Sequence, residues 1–341
     1  MDIFPKFEVM ESLFKSGFRS FLESSYIDFI EYGNSFIFTD YDFSVELVPA
    51  SFSAASPVSS LQSPVPSAQS IVPSAQSPVP SAASPVEIPA ELLPCVPVKP
   101  ETGFQAGLGN DKIFLYEDRW WTNRQMVQER ILARLERFRS IFARKCRVLT
   151  GRGNPQLGEL VREFLQKHHS YSSAKCRYRY ALEYEGEIVA VATFSEGRPM
   201  VRKMDTPLQN VPKEDQENAE IVIFDSYEWI RYASLPGIRV VGGMGRLLNT
   251  FIEERFSRIE PGTPLEVMTY SDTEWGSGDV YTKLGFQFAG ERPPVEYHVH
   301  KKTFVRYQQR LYEKELQNGA LPDDFYIISN QGSRKFLLQI I

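Results

Sequence analysis

The stretch Arg239-Val240-Val241-Gly242-Gly243-Met244-Gly245-Arg246 separates a run of strand character at residues 221–233 from an amphipathic run at residues 245–256. The pattern reads as strand, tight turn, helix. Glycines at such a junction let the backbone approach a ligand closely. Free N–H groups at the helix start favour an anion, with a phosphate or pyrophosphate the natural guest. Gly242-Gly243-Met244-Gly245 lacks the G-x-G-x-x-G spacing of a dinucleotide turn, and no Gly-Lys-Ser/Thr follows as in a P-loop. Taken alone, the glycines are equally well explained as a turn.

Downstream, a strand at residues 265–271 leads past Asp272, Glu274 and Trp275 to Val280-Tyr281-Thr282-Lys283-Leu284-Gly285-Phe286. This reads as a short helix over 279–284, ended by Gly285. A strand pair around Phe288 and residues 297–299, a helix over 304–316, and a hairpin through Tyr326 and Phe336 complete the expected elements on that side. Upstream, alternation at 178–184 and 188–194 about Gly186 predicts a hairpin. Apolar spacing of three and four predicts helices over 124–142 and 157–168. Residues 205–220 are polar and proline-bearing, which suits a surface loop. Mixed strands interrupted by helices indicate an α/β or α+β domain.

The glycine turn and the Tyr281-x-x-Leu284-Gly285-Phe286 helix together resemble the GNAT superfamily of acyl-coenzyme-A-dependent N-acyltransferases, over about residues 177–299. In that family a strand leads into an Arg/Gln-x-x-Gly-x-Gly/Ala loop and a helix that hold the coenzyme A pyrophosphate. A following strand and a Tyr-x-x-Leu-Gly-Phe helix complete the acyl site. Met244 stands where the family has a small residue. The chain looks closest to a GNAT-like subgroup of unassigned role in phage and plant proteins. Ala143-Arg144-Lys145-Cys146, Ser226-Tyr227-Glu228, the Val-Val-Gly-Gly turn and Asp272-x-x-Trp275 carry that likeness.

The resemblance implies a GNAT-like mixed sheet flanked by helices, with acetyl-CoA or another acyl-CoA as co-substrate and no metal. It implies coenzyme contacts from Arg239, Val240, Val241, Gly242, Gly243, Met244, Gly245 and Arg246. Amine acetylation needs a free amine lone pair, a polarised thioester carbonyl and a proton for the departing thiolate. Tyr281 is the implied acid; its other reading is a core tyrosine packed on Phe286. Glu228 is the implied base; its other reading is a carboxylate paired with Arg231 or exposed to solvent. Asp272 and Glu274 are candidates for holding a cationic acceptor amine, of a small molecule or a protein, or else are capping carboxylates. A second class stays open, a catalytically inactive GNAT-like module with nucleic acid as its partner. The basic run from Arg134 to Arg152 would supply its footprint, although it also reads as a solvated helix face.

The 341 residues carry 38 Lys+Arg against 43 Asp+Glu, a formal charge of −5. Nine acidic and three basic side chains lie in residues 1–50, so the remainder is close to neutral. Residues 51–86 hold no charge and repeat units such as Val65-Pro66-Ser67-Ala68-Gln69-Ser70 at a period of seven. A proline in every unit forbids a continuous helix, so residues 51–102 are expected as a disordered, polyproline-II-biased linker. The chain therefore divides into an acidic aromatic-rich segment at 1–50, the linker, and a GNAT-like domain at 103–341 with its core at 177–299. Within 1–50 one amphipathic helix over 8–30 is expected, docked on the domain or serving as an interaction segment.

Cys95, Cys146 and Cys176 form no Cys-x-x-Cys, which argues for a reducing compartment and against a disulfide frame. His298-x-His300 reads as an edge pair rather than a zinc site, and Trp120-Trp121 as a packing anchor. No apolar run approaches the roughly 18 residues that a membrane span needs. The acidic start fits neither a signal nor a transit peptide, so an intracellular location, cytoplasmic or nuclear, is expected.

Overall fold

Apolar residues at helical spacing meet apolar residues at alternate strand positions, and the first core of the molecule forms where they meet. The computed structural model describes residues 7–50, 111–151, 154–203, 221–258 and 264–340. Helix α1 (Phe7–Ser24) is followed by β1 (Ile30–Tyr32), β2 (Ser35–Phe38) and β3 (Phe43–Val48), which pair as antiparallel neighbours. Strand β4 (Asp111–Tyr116) then pairs with β3 in parallel, from Phe43↔Asp111 to Val48↔Tyr116. Helices α2 (Glu117–Thr122) and α3 (Arg124–Arg134) close this unit. Phe14, Phe18, Phe21 and Leu22 of α1 are buried with Phe36, Phe38, Val45, Ile113, Leu115, Val127 and Ile131. Trp120 lies fully buried among Phe14, Phe18 and Phe21, at ring-centroid distances of 6.2, 5.6 and 6.3 Å.

The N-terminal segment therefore supplies a helix and three strands, where one helix was expected. Phe14, Phe18, Phe21, Phe36, Phe38 and Phe43 are core side chains shared with residues 113–135, while Tyr26 and Tyr32 are exposed, and part of the segment's acidity is held internally. Glu31 accepts from Arg19 at 2.7 Å and from Lys15 at 2.8 Å, and Glu46 pairs with Lys112 at 3.2 Å. The linker expected at 51–102 and the loop expected at 205–220 lie outside the described residues.

The rest of the described chain runs β5 (Arg139–Phe142), β6 (Arg147–Thr150), α4 (Leu157–His168), β7 (Tyr178–Tyr184), β8 (Glu187–Phe194), β9 (Arg198–Lys203) and β10 (Ile221–Ser234). It continues with β11 (Ile238–Val241), α5 (Gly243–Phe256), β12 (Leu265–Asp272), α6 (Asp279–Lys283), β13 (Gln287–Arg292) and β14 (Glu296–His300). Strand β15 (Arg306–Tyr307), α7 (Gln309–Gln317), β16 (Phe325–Ser329) and β17 (Ser333–Ile340) complete it. An eight-stranded sheet has the order β6-β7-β8-β10-β12-β17-β13, with β9 on the first half of β10. Within it β10 and β12 pair in parallel and the other neighbours are antiparallel.

The sheet is covered on both faces. On one, Phe251 of α5 stacks on Phe194 at 4.0 Å between centroids and meets Tyr180 and Tyr227 edge-on. On the other, Leu157, Val161, Phe164 and Leu165 of α4 bury Ala181, Val191 and Ala233. The mixed α/β class, the 178–194 hairpin and the strand–turn–helix unit all match expectation. No helix among the described residues is long and apolar enough to cross a membrane.

Several expected elements change on folding. The helix expected over 124–142 ends at Arg134, where Leu135 and left-handed Glu136 (φ 56°) turn the chain. The residues beyond become β5 and pair in parallel with β11, Val240 opposite Ile141. The helix expected over 304–316 is α7, which starts later because Phe304 is left-handed and 306–307 pair with β14. Strands β13 and β14 do not pair with each other. Pro293-Pro294 breaks the connection, and β13 pairs β17 while β14 pairs β16. Tyr326 and Phe336 lie in separate sheets rather than in one hairpin, because β16 pairs β14 while β17 pairs β12 and β13.

Candidate active site

The parallel ladder between β10 and β12 runs from Asp225↔Leu265 to Glu228↔Met268 and stops there. Strand β12 continues to Asp272 against β17, while β10 shifts register on β8 between Trp229 and Arg231. Just past the last pair, Thr269 Oγ1 donates to the carbonyl of Trp229 at 3.1 Å, a side chain taking the place of a ladder bond. The two central strands part at this point. Where they part, Trp229 and Tyr232 belong to the α5 face, and Arg231 reaches the α4 face with its Nε donating to Ser172 O at 3.3 Å.

Tyr281 borders the α5 face of the gap. Its ring lies 6.0 Å from Trp229, 5.8 Å from Phe286 and 5.4 Å from Phe336. Burial pushes the phenol pKa up, and a hydrogen bond with Thr269 opposes that in part. The hydroxyl is therefore a protonated donor at neutral pH. The backbone of α6 fixes the ring: Tyr281 N–H donates to Gly278 O at 2.9 Å, and its carbonyl accepts from Leu284 and Phe286 at 3.0 Å. Gly278 is left-handed (φ 86°), and a Cβ there would stand 2.7 Å from the Phe336 ring, so no other residue fits that approach.

Helix α5 opens beside this gap. Gly242 at its N-cap takes φ 76°, and the N–H groups of Gly243, Met244 and Gly245 have no intrahelical acceptor. The Arg246 N–H already bonds Gly242 O at 3.0 Å. Met244, the residue that departs from the family pattern, packs its side chain against the sheet core, so it does not cover those N–H groups. Gly245 is the neighbour of Leu284, whose side chain would lie 3.4 Å from a Cβ there. The helix start and the α6 segment are thus neighbours. Val240 is buried and Val241 exposed. Arg246 donates its side chain to Ala143 O, and Arg239 sits over the Phe138 ring at 5.2 Å. In this structure those two guanidinium groups serve the β5–β11 pair.

Glu228 lies at the last position of β10 that pairs with β12. Its N–H donates to Ser195 Oγ at 2.8 Å and its carbonyl accepts from Ser195 N–H at 2.9 Å. The half-buried carboxylate makes no hydrogen bond or ion pair among the described residues, and Arg231 is the nearby cation whose charge it feels. Asp272 is occupied otherwise: Oδ2 accepts from Tyr171 OH at 2.7 Å and Oδ1 from the Glu274 N–H at 2.9 Å. Glu274 is 1% exposed and accepts from Arg306 at 3.0 Å, while Arg306 also grips Asp118 at 2.5 and 3.0 Å. Burial pushes the Glu274 carboxyl up against the pull of Arg306. Burial lowers Arg306, but its two carboxylates outweigh that and hold its pKa above the ordinary value. Glu274 is thus a buried structural ion, and the expectation that it meets a substrate amine gives way to this triad.

Thr269, Trp229 and Tyr171 are parts of the site that sequence reasoning missed. Thr269 and Trp229 carry no signal beyond strand propensity; Tyr171 follows His168-His169 in a connection without periodicity. His298 bonds Gln309 at 2.8 Å and stacks on Tyr312, and His300 Nδ1 accepts from the N–H of Lys302, so the two rings are used locally. Cys146 is buried, and burial pushes its thiol up, which leaves it without nucleophilic character.

No protein-family model and no curated protein matches the chain. Solved structures do. An acetyltransferase of Bacillus subtilis in complex with coenzyme A is 12% identical, over 58% of this chain and all (100%) of that one, with a TM-score of 0.28. A histone-acetyltransferase-related acetyltransferase of Corynebacterium glutamicum is 16% identical over 57% and 78%, with a TM-score of 0.24. A polyamine N-acetyltransferase of Drosophila melanogaster is 12% identical over 52% and 79%, with a TM-score of 0.23. At such identities and TM-scores the likeness reaches no further than the mixed α/β fold, which the strand order and the parallel β10–β12 pair establish in this chain on their own.

Proposed function

We propose that the chain is an acyl-CoA-dependent N-acyltransferase that moves an acetyl group to an amine by direct attack on the thioester. The observation that supports this best is the parting of β10 and β12 beside both a buried phenol and an unsatisfied helix start. The three orphan N–H groups of Gly243, Met244 and Gly245 suit a pyrophosphate, because their partial positive charge is fixed in place before binding. The apolar walls from Trp229, Tyr232 and Phe286 suit the thioester end of the molecule and keep water away from it. In the reaction the amine nitrogen forms a bond to the acyl carbon and the carbon–sulfur bond breaks. Tyr281 gives its proton to the leaving sulfur. Glu228 takes the proton that the amine nitrogen loses, and its free carboxylate at the edge of the gap is the group suited to that task.

Calorimetry with coenzyme A and with acetyl-CoA tests this reading. It needs the full chain, because residues 7–50 share a core with residues 113–135. Saturable heat is expected from both ligands. No heat and no thermal stabilisation at millimolar ligand would remove the proposal.

A further inference from the structure

The α4 face of the gap has a different chemistry. Five segments converge there on Tyr171. Arg119 of α2 lies with Cζ 4.9 Å from the centre of its ring, and Arg231 of β10 lies 5.8 Å from the same ring. Arg130 of α3 sits over Trp275 at 3.9 Å, and its Nη1 donates to Ser170 Oγ at 3.3 Å. None of the three guanidinium groups has a carboxylate at ion-pair distance among the described residues. Arg231 donates to the carbonyls of Ser172 and Ile230. Three carboxylates act on these guanidinium groups from beyond pairing distance: Glu228 on Arg231, and Asp272 and Glu274 on Arg130, with Asp272 hydrogen-bonded to Tyr171 and Glu274 paired with Arg306.

Desolvation lowers the pKa of both Arg130 and Arg231, and together they hold His169, already lowered by burial, at about 3. His169 is therefore neutral and adds no charge at physiological pH. Arg130 keeps exposed surface even though its neighbours desolvate it, as a side chain on the wall of a concave surface does.

Among the described residues the Arg119 side chain makes no hydrogen bond, and Arg130 and Arg231 donate only to neutral oxygens, so guanidinium N–H groups are left over that an anion would satisfy. Planar guanidinium forks match the oxygens of a carboxylate or phosphate. We infer that Arg119, Arg130 and Arg231 form an anion-binding subsite beside Glu228, and that the acyl acceptor is an amine bearing a carboxylate or phosphate. Calling the anion part of the acceptor rests on the acyltransferase reading above; the anion site itself does not. Glu228 precedes Arg231 by three residues on the same strand, so an anion gripped by Arg231 brings its amine to the candidate base. This reverses the expectation that Asp272 and Glu274 receive a cationic amine.

Inorganic phosphate and, separately, succinate are titrated into the full chain without coenzyme, read by calorimetry and by tryptophan fluorescence, for which Trp275 under Arg130 is the reporter. Saturable binding of at least one anion is expected. Arg231→Gln and Arg119→Gln should each weaken it tenfold or more, and Arg231→Lys should retain part of it with an unchanged unfolding temperature. No saturable binding of either anion, or equal binding in both glutamine variants, overturns the site. Initial rates with acetyl-CoA then compare glutamate, O-phosphoethanolamine and putrescine. A kcat/KM at least tenfold higher for one of the anionic amines, lost in Arg231→Gln, supports the acceptor class and says which anion it carries. A higher value for the diamine overturns it. Failure of the acyltransferase reading is visible separately, as absent heat with coenzyme A and absent turnover with every amine. That result removes the acceptor assignment and leaves the phosphate and succinate titrations to decide the anion site.

Discussion

On its α5 face, the gap between β10 and β12 is bordered by side chains from one stretch of chain, residues 226–286, with Phe336 added from β17. On its α4 face the groups come from α2, α3, the α4–β7 connection, β10 and the end of β12. The first face is aromatic and carries its polarity in backbone N–H groups. The second is cationic and carries it in side chains. A face built from contiguous sequence keeps its geometry through local turns, such as the one at Gly278. A face built from five segments depends on whatever locks those segments together. Here that lock is the Asp118–Arg306–Glu274 triad, which ties α2 to the turn after β12.

The largest effect should follow from breaking that lock. Arg306→Leu strands two buried carboxylates and is expected to cost about 3–5 kcal/mol, read as a drop in the urea midpoint. Trp120→Ala, in the core that holds Arg119 and Arg130 in place, is expected to cost a similar ~3–5 kcal/mol. A much smaller loss for either would show that the two faces are mechanically independent. Tyr281→Phe touches only the α5 face. Turnover should fall by about 10²-fold with coenzyme affinity nearly unchanged. An equal rate across the pH profile would take the acid role from Tyr281.

Acid titration separates the regions more finely. The pKa of His169 is lowered from 6.5 to about 3 by burial, aided by Arg231 and Arg130, so the folded chain binds fewer protons than the unfolded chain between those values. Its contribution is complete above about pH 6.5 and is lost as the pH falls toward 3. His169→Gln should flatten that part of the stability curve. Phosphate bound among the arginines should raise the His169 pKa, observable by NMR. The smallest effect is expected far from the gap. Glu31, held at about 2 chiefly by its hydrogen bond from Arg19, contributes stability above about pH 4.5 that disappears toward pH 2. Glu31→Gln should cost about 0.5–1 kcal/mol at neutral pH and remove that acid-limb dependence.

Much of the α5 face was legible beforehand, because its parts are local. A strand, a glycine turn and a helix follow one another in order, and Tyr281 lies in a short helix with its own C-terminal glycine. The departure at Met244 was legible too, but not the packing of its side chain against the sheet core, which depends on which way that side chain turns. The α4 face was not legible. Nothing in the spacing of Arg119, Arg130, Tyr171, Arg231 and Asp272 marks them as neighbours, since each is an ordinary polar residue of its own element. The Glu274 carboxylate shows the same limit, for its partner Arg306 comes from a strand of another sheet.

By itself, the sequence determined the mixed α/β class, the 178–194 hairpin, the charge-free repeat at 51–86 and the glycine junction at 242–245. These are set by periodicity, proline and glycine, which act over a few residues. Only the tertiary structure decided that phenylalanines of 1–50 form a core, that residues 139–142 leave a helix to pair with β11, and that two arginines share Tyr171 while a third covers Trp275. Each of those outcomes depends on long-range burial and charge. A chain has no local way of encoding either.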